Sequence, residues 1–208
     1  MLVALNVWAF VREAQAPNVA RYVESFATIP YDVTHNVTLP PPSPHPEALT
    51  LVTSAFLHAS VPHIFFNMLF LLVFGPAIER SFGSVRFVLF YLFCAVIANL
   101  TQVLATPNSH LPEIGASGAV AGVLGAYLVM YPTNSIQTVV PIGCFPLFLR
   151  VPAVVMIGVW AVLQFVHGFG TIDPRTTSEQ GVAYFAHIGG FLSGALIAPL
   201  LRRRPVRG

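Results

Sequence analysis

Residues 113–127 read EIGASGAVAGVLGAY. Ser117, set between glycines, opens an apolar run that ends at Tyr131, immediately before Pro132. A helix over that run would measure about 22 Å at 1.5 Å per residue, short of the roughly 30 Å hydrocarbon core of a bilayer. The preceding TPNSHLPEI, residues 106–114, is polar and proline-bearing, so it cannot lengthen the helix. Irregular backbone at membrane depth survives only inside protein or beside water. The stretch therefore reads as a helix that starts below the membrane surface, at the floor of a wet cavity, with Ser117 at its mouth.

The rest of the chain agrees with a bilayer environment. Hydrophobic residues make up 55% of it and charged residues 9%, against roughly 25% charged in a soluble domain. The net charge of +2 is too small to point to nucleic acid. Cys94 and Cys144 lie in or beside apolar stretches and read as ordinary thiols, with no disulfide framework.

Six apolar segments can be placed, at about 2–11, 62–78, 87–105, 116–131, 151–169 and 183–201. The first is short for a span, so either the true start lies upstream or that helix is incomplete. It lacks the basic flank and cleavage site of a signal peptide. Between the first two segments, residues 14–61 contain LPPPSPHP, which favours stiff extended chain, and ALTLVTSAFLH, apolar enough to lie at the membrane interface. Pro152 is expected to open the fifth span. The reading is an all-α membrane protein with six transmembrane helices and a long first extracytoplasmic loop. It forms one domain over residues 1–208, with a basic cytoplasmic tail at 202–208.

Arginine placement sets the orientation. With a cytoplasmic N-terminus, Arg80, Arg86, Arg150, Arg202, Arg203, Arg204 and Arg207 fall inside, and Arg12, Arg21 and Arg175 fall outside. Spans two, four and six then all begin at the outer side. Those beginnings carry His63 and Asn67, Ser117, and His187.

Ser117 alone could be a helix N-cap. Its company suggests more. Gly118, Gly122 and Gly125 form one small-residue stripe, and Gly190 and Gly194 form another. Such stripes let two helices approach closely, which would carry His187 toward Ser117. A serine hydroxyl needs a base before it is a useful nucleophile, and histidine is the usual base near neutral pH. His63 and Asn67, four residues apart, share a helix face and could donate to an oxyanion together with the Ser117 N–H. They could equally form an interhelical polar clamp. A zinc site from His58, His63 and His187 finds no HExxH spacing and no carboxylate nearby in sequence, so no metal is expected. Gln164, on one face of the fifth span with Trp160, reads as a bond to a neighbouring helix. Glu79 reads as bonding loop amides. His110 and His167 receive no role.

HASVPHIFFN, GPAIERSFG, GASGAVAGVLGAY, WAVLQ and AHIGGFLSG occur together in this order. In these motifs the chain after residue 50 resembles the rhomboid intramembrane serine proteases of the six-span bacterial kind. The resemblance implies Ser117 as nucleophile and His187 as base. It implies His63 and Asn67 around the oxyanion with the Ser117 amide, Gly115 and Gly118 at the substrate-binding backbone, and His58 as support at the outer cavity. It implies no cofactor, a bilayer setting in a bacterial inner membrane, and transmembrane proteins as substrates. Those substrates would carry small residues at the cut and helix-destabilising residues nearby. Some members carry a tyrosine four residues after the serine, where this chain has Ala121, so another ring or packing contact is expected to orient His187. The Trp-Arg pair that some members carry in the first loop is absent.

Two other classes compete. An inactive relative of the same fold would capture transmembrane helices without cutting them. A small-solute transporter would place ionisable residues or broken helices near mid-membrane, whereas the polar cluster here lies to one side.

Overall fold

The computed structural model describes residues 1–37, 46–142, 145–170 and 183–203. Each of the six apolar segments is helical. In chain order the elements are α1 (Leu2–Ala14), α2 (Val19–Phe26), α3 (Pro30–His35), α4 (Thr50–Thr53), α5 (Val61–Phe82), α6 (Ser84–Ala105), α7 (Ser117–Met130), strands β1 (Ser135–Ile142) and β2 (Phe145–Pro152), then α8 (Ala153–Gly170) and α9 (Tyr184–Leu201). Among the described residues, α5, α6 and α9 are long and apolar enough to cross a membrane, while α7 and Ala153–Gly168 of α8 are shorter apolar helices.

Local chemistry fixes where these helices start and stop. Ser60 caps α5 by accepting from the His63 N–H, and Pro62 sits in the first turn, where its missing N–H costs nothing. Gly83 separates α5 from α6 at φ +83°, a region open mainly to glycine. The Arg203 guanidinium fills the space a side chain there would need. Arg203 also donates from its Nε to the Phe82 carbonyl at 2.8 Å, joining the end of α9 to the end of α5.

α7 lies at the centre. Every residue from Gly118 to Tyr127 is buried, as expected for a helix that is apolar on all sides. Its glycines meet those of α9 backbone to backbone. A Cβ at Gly190 would overlap the Gly118 carbonyl oxygen, and one at Gly125 would overlap that of Phe191. The outward faces are apolar as well: Phe65, Leu69 and Leu72 on α5, and Val155, Val159 and Val162 on α8, are exposed. Such faces are suited to lipid.

The expected architecture needs correction. The chain is not all-α, because β1 and β2 pair antiparallel, Ser135 with Pro152 and Ile142 with Phe145. SIQTVV and FPLFLRV are rich in β-branched and aromatic residues that favour strands. Strands of eight residues escape a search for long apolar runs. Pro152 therefore ends β2, and α8 begins at Ala153.

ALTLVTSAFLH packs largely inside the protein: Thr50, Leu51, Ser54, Ala55, Leu57 and His58 are buried. Its hydroxyls find partners inside. Ser54 Oγ accepts from Asn99 Nδ2 at 2.9 Å and from Thr28 Oγ1 at 3.0 Å. Thr28 and Glu113 exchange backbone hydrogen bonds of 3.1 and 2.8 Å. These contacts seat the first loop on α6 and on the segment leading into α7. Cys144, Arg175, the tail beyond Arg203 and most of LPPPSPHP lie outside the described residues.

Candidate active site

The N-terminal ends of α5, α7 and α9 meet around one cavity of about 290 Å³, lined by His63, Asn67, Ser117, Trp160 and His187 among apolar side chains. Ala116 occupies the N-cap of α7 without a side-chain bond, so Ser117 is the first helical residue and its hydroxyl is not used for capping. That hydroxyl turns to His187, with Oγ and Nε2 2.8 Å apart. The glycine contacts deeper between α7 and α9 allow this approach between residues 70 positions apart.

The second ring nitrogen of His187 is also engaged. Nδ1 lies 2.8 Å from Oε1 of Gln164 on α8. The Trp160 ring, one turn earlier on the same helix, stands tilted against the imidazole at a centroid distance of 5.9 Å. Trp160 and Gln164 supply the contacts to His187 that Ala121 cannot.

The first N–H groups of α7, beginning with Ser117, have no acceptor within the helix, since the first such bond runs from Val120 to Ala116. On the facing wall Asn67 is buried, and its Nδ2 has no hydrogen-bond partner among the described residues. His63 lies on the same face of α5, one turn earlier. A Cβ on Gly115 would run into the His63 ring, and Gly115 stands at φ +125°, so this position admits a side chain neither for space nor for conformation.

Gly115 and Gly118 do not line the cavity. The Gly115 N–H is donated to the Ser54 carbonyl at 2.9 Å, so it is not free for a substrate. Its contribution is the room it leaves for His63. Gly118 packs against Ala98 and Ala186 and serves the contact between helices. His58 is likewise one layer back: its backbone N–H donates to Glu13 Oε2 at 3.0 Å, and its ring stands 5.1 Å from that of His63. Burial, reinforced by the neighbouring His63, pushes His58 down to about 4, so its ring is neutral near pH 7.

One connection had no signal in the sequence. Gln102 on α6 accepts from the Ala186 N–H at 3.2 Å and, through Nε2, approaches Glu113 Oε1 at 3.4 Å. It thereby satisfies an orphan donor at the start of α9, next to His187. Burial raises the Glu113 carboxyl to about 7, partly countered by Gln102.

A family model described as "Rhomboid domain" matches residues 45–204. Among curated proteins, the chain is 31% identical over 151 residues to rhomboid protease GluP of Bacillus subtilis, covering 73% of this chain and 25% of that one. It is 32% identical over 169 residues to RHOMBOID-like protein 4 of Arabidopsis thaliana, covering 78% and 36%. It is 31% identical over 157 residues to the chloroplastic Rhomboid-like protein 11 of the same plant, covering 74% and 52%. The aligned part of the chain thus spans from a quarter to about half the length of these relatives.

Proposed function

The chain belongs to the rhomboid family, and from that premise we propose that it is a serine endopeptidase that cuts other membrane proteins within or beside their transmembrane segments. Family membership and its apolar helices make it an integral membrane protein. The observation that carries the catalytic reading is the 2.8 Å approach of Ser117 Oγ to His187 Nε2 in a cavity shared by three helix ends.

In this reading Ser117 attacks the scissile carbonyl while His187 Nε2 takes the hydroxyl proton. Negative charge develops on the carbonyl oxygen, and the donors available for it are the Ser117 N–H at the positive end of α7 and Asn67 Nδ2, which has no other partner among the described residues. His63 flanks the same site. A donor fixed before the reaction needs no reorganisation when charge appears, which makes such groups effective in a dry site. His187 then protonates the leaving amine. Water enters, gives its proton to His187 and hydrolyses the acyl-enzyme. The substrate helix must unwind locally, because a helical amide is hidden from attack, and small residues at the cut with helix-destabilising residues nearby suit that demand.

The proposed arrangement is one domain with six spans, formed by α1, α5, α6, α7, α8 and α9, with both termini in the cytoplasm of a bacterial cell and the cavity at the outer face. The excess of arginines at the opposite end supports it. No cofactor enters this chemistry.

The direct test is labelling by a fluorophosphonate probe in membranes, comparing the wild type with Ser117→Ala and His187→Ala. Labelling of the wild type alone is expected. A folded wild type that stays unlabelled would overturn the protease reading and favour a protein that binds transmembrane helices without cutting them.

A further inference from the structure

His187 has two ring nitrogens, and only one arrangement of its proton permits base catalysis. Nε2 faces Ser117 Oγ and must carry a lone pair to accept the serine proton. A neutral imidazole then bears its hydrogen on Nδ1. That hydrogen needs an acceptor, and the atom facing it at 2.8 Å is Oε1 of Gln164. Resting on the reading of Ser117 and His187 given above, we propose that Gln164 is a positioning residue that fixes the productive tautomer of His187. It takes the place that a carboxylate holds in a Ser-His-Asp triad.

The surroundings favour an amide for this task. The cavity beside His187 is lined by apolar and aromatic side chains apart from Ser117, His63 and Asn67. An unpaired carboxylate among them would carry a heavy desolvation cost. An amide oxygen accepts the same hydrogen bond without a net charge. Orientation also comes from Trp160, four residues before Gln164 and therefore on the same helix face. Trp160 restrains the plane of the ring, whereas Gln164 alone can select which nitrogen bears the hydrogen.

The test compares wild type, Gln164→Leu and Gln164→Glu in proteoliposomes, reading kcat and KM on a transmembrane substrate from pH 5 to 9, together with thermal stability. Leu keeps the size and removes the acceptor. Its kcat should fall at least about tenfold with KM little changed, since a wrong tautomer in a serine triad costs up to ~10⁴-fold. Glu restores an acceptor and adds charge, so activity should return at high pH with the acid limb moved up by about one unit or more.

A purely structural residue would change stability without moving that limb. Gln164→Leu within twofold of wild type, or an unmoved limb in Gln164→Glu, overturns the proposal. If Gln164→Leu does not fold, the Glu profile decides. A wild type without activity would refute the Ser117–His187 reading itself, an outcome distinct from active wild type with indifferent Gln164 variants.

Discussion

The carbonyl oxygen of Gly122 occupies the space a side chain at residue 194 would need, so α7 and α9 touch main chain to main chain at this level. The contact is rigid backbone on both sides. Gly194→Ala should therefore force the helices apart, costing about 1–3 kcal/mol as overpacking does elsewhere, and should also draw His187 away from Ser117. The expected result is a lower melting temperature together with loss of probe labelling. Unchanged stability would mean the helices are not held this closely.

Asn67 offers the opposite separation of effects. Its Nδ2 is buried and has no partner among the described residues, and burying an unsatisfied donor costs stability. Asn67→Ala should leave the melting temperature equal or higher while lowering kcat by about 10²–10³-fold, the loss seen when one oxyanion donor is removed. KM should change little. A fall in stability with activity intact would assign Asn67 to the interhelical clamp.

Ser117→Ala and His187→Ala should be grossly non-additive, because two residues that act on one proton fail together. Each single variant should lose at least ~10³-fold in kcat, and the double variant should be no worse than the poorer single. Turnover measured on one purified substrate for all three variants checks this. Additive losses would indicate that the two residues contribute separately.

Stability should respond to pH through two groups outside the spanning helices. Glu113 titrates at about 7 against an ordinary 4.5, so between those values the folded state binds a proton the unfolded state lacks. Its contribution is fullest below the ordinary value and is lost as pH rises toward 7. His58 has the reverse sign. Its folded value of about 4 lies below the ordinary 6.5, so stability is lost as pH falls from 6.5 toward 4. The two oppose each other in the overlapping window. Glu113→Gln should remove the first alone, leaving melting temperatures that rise with pH up to about 6.5 and then level. A variant with the same pH profile as the wild type would contradict this.

The helices were legible because lipid-facing and buried helices are both apolar over long runs, and glycines spaced three or four apart announced the α7–α9 contact. Ser117, His187, His63 and Asn67 could be placed at one depth from span direction alone. The hairpin at 135–152 was not legible, since its strands are short and interrupted by proline. Nor were contacts set by tertiary geometry, such as Gln164 on His187 or Gln102 on the Ala186 N–H. At Gly115 the limit is similar: spacing shows that a glycine is required but not which neighbour requires it. Here the neighbours are the His63 ring and the Ser54 carbonyl.

The enclosure of α7 bears on synthesis. A helix of 14 residues that is buried from Gly118 to Tyr127 has little hold on a bilayer of its own, and its principal partner, α9, is made after it. A nascent chain halted before Tyr184 contains Ser117 but has neither His187 nor the glycine surface of α9. Catalytic competence should therefore arrive only once α9 has been made. Chains truncated at residue 183 should leave Ser117 unreactive to the probe.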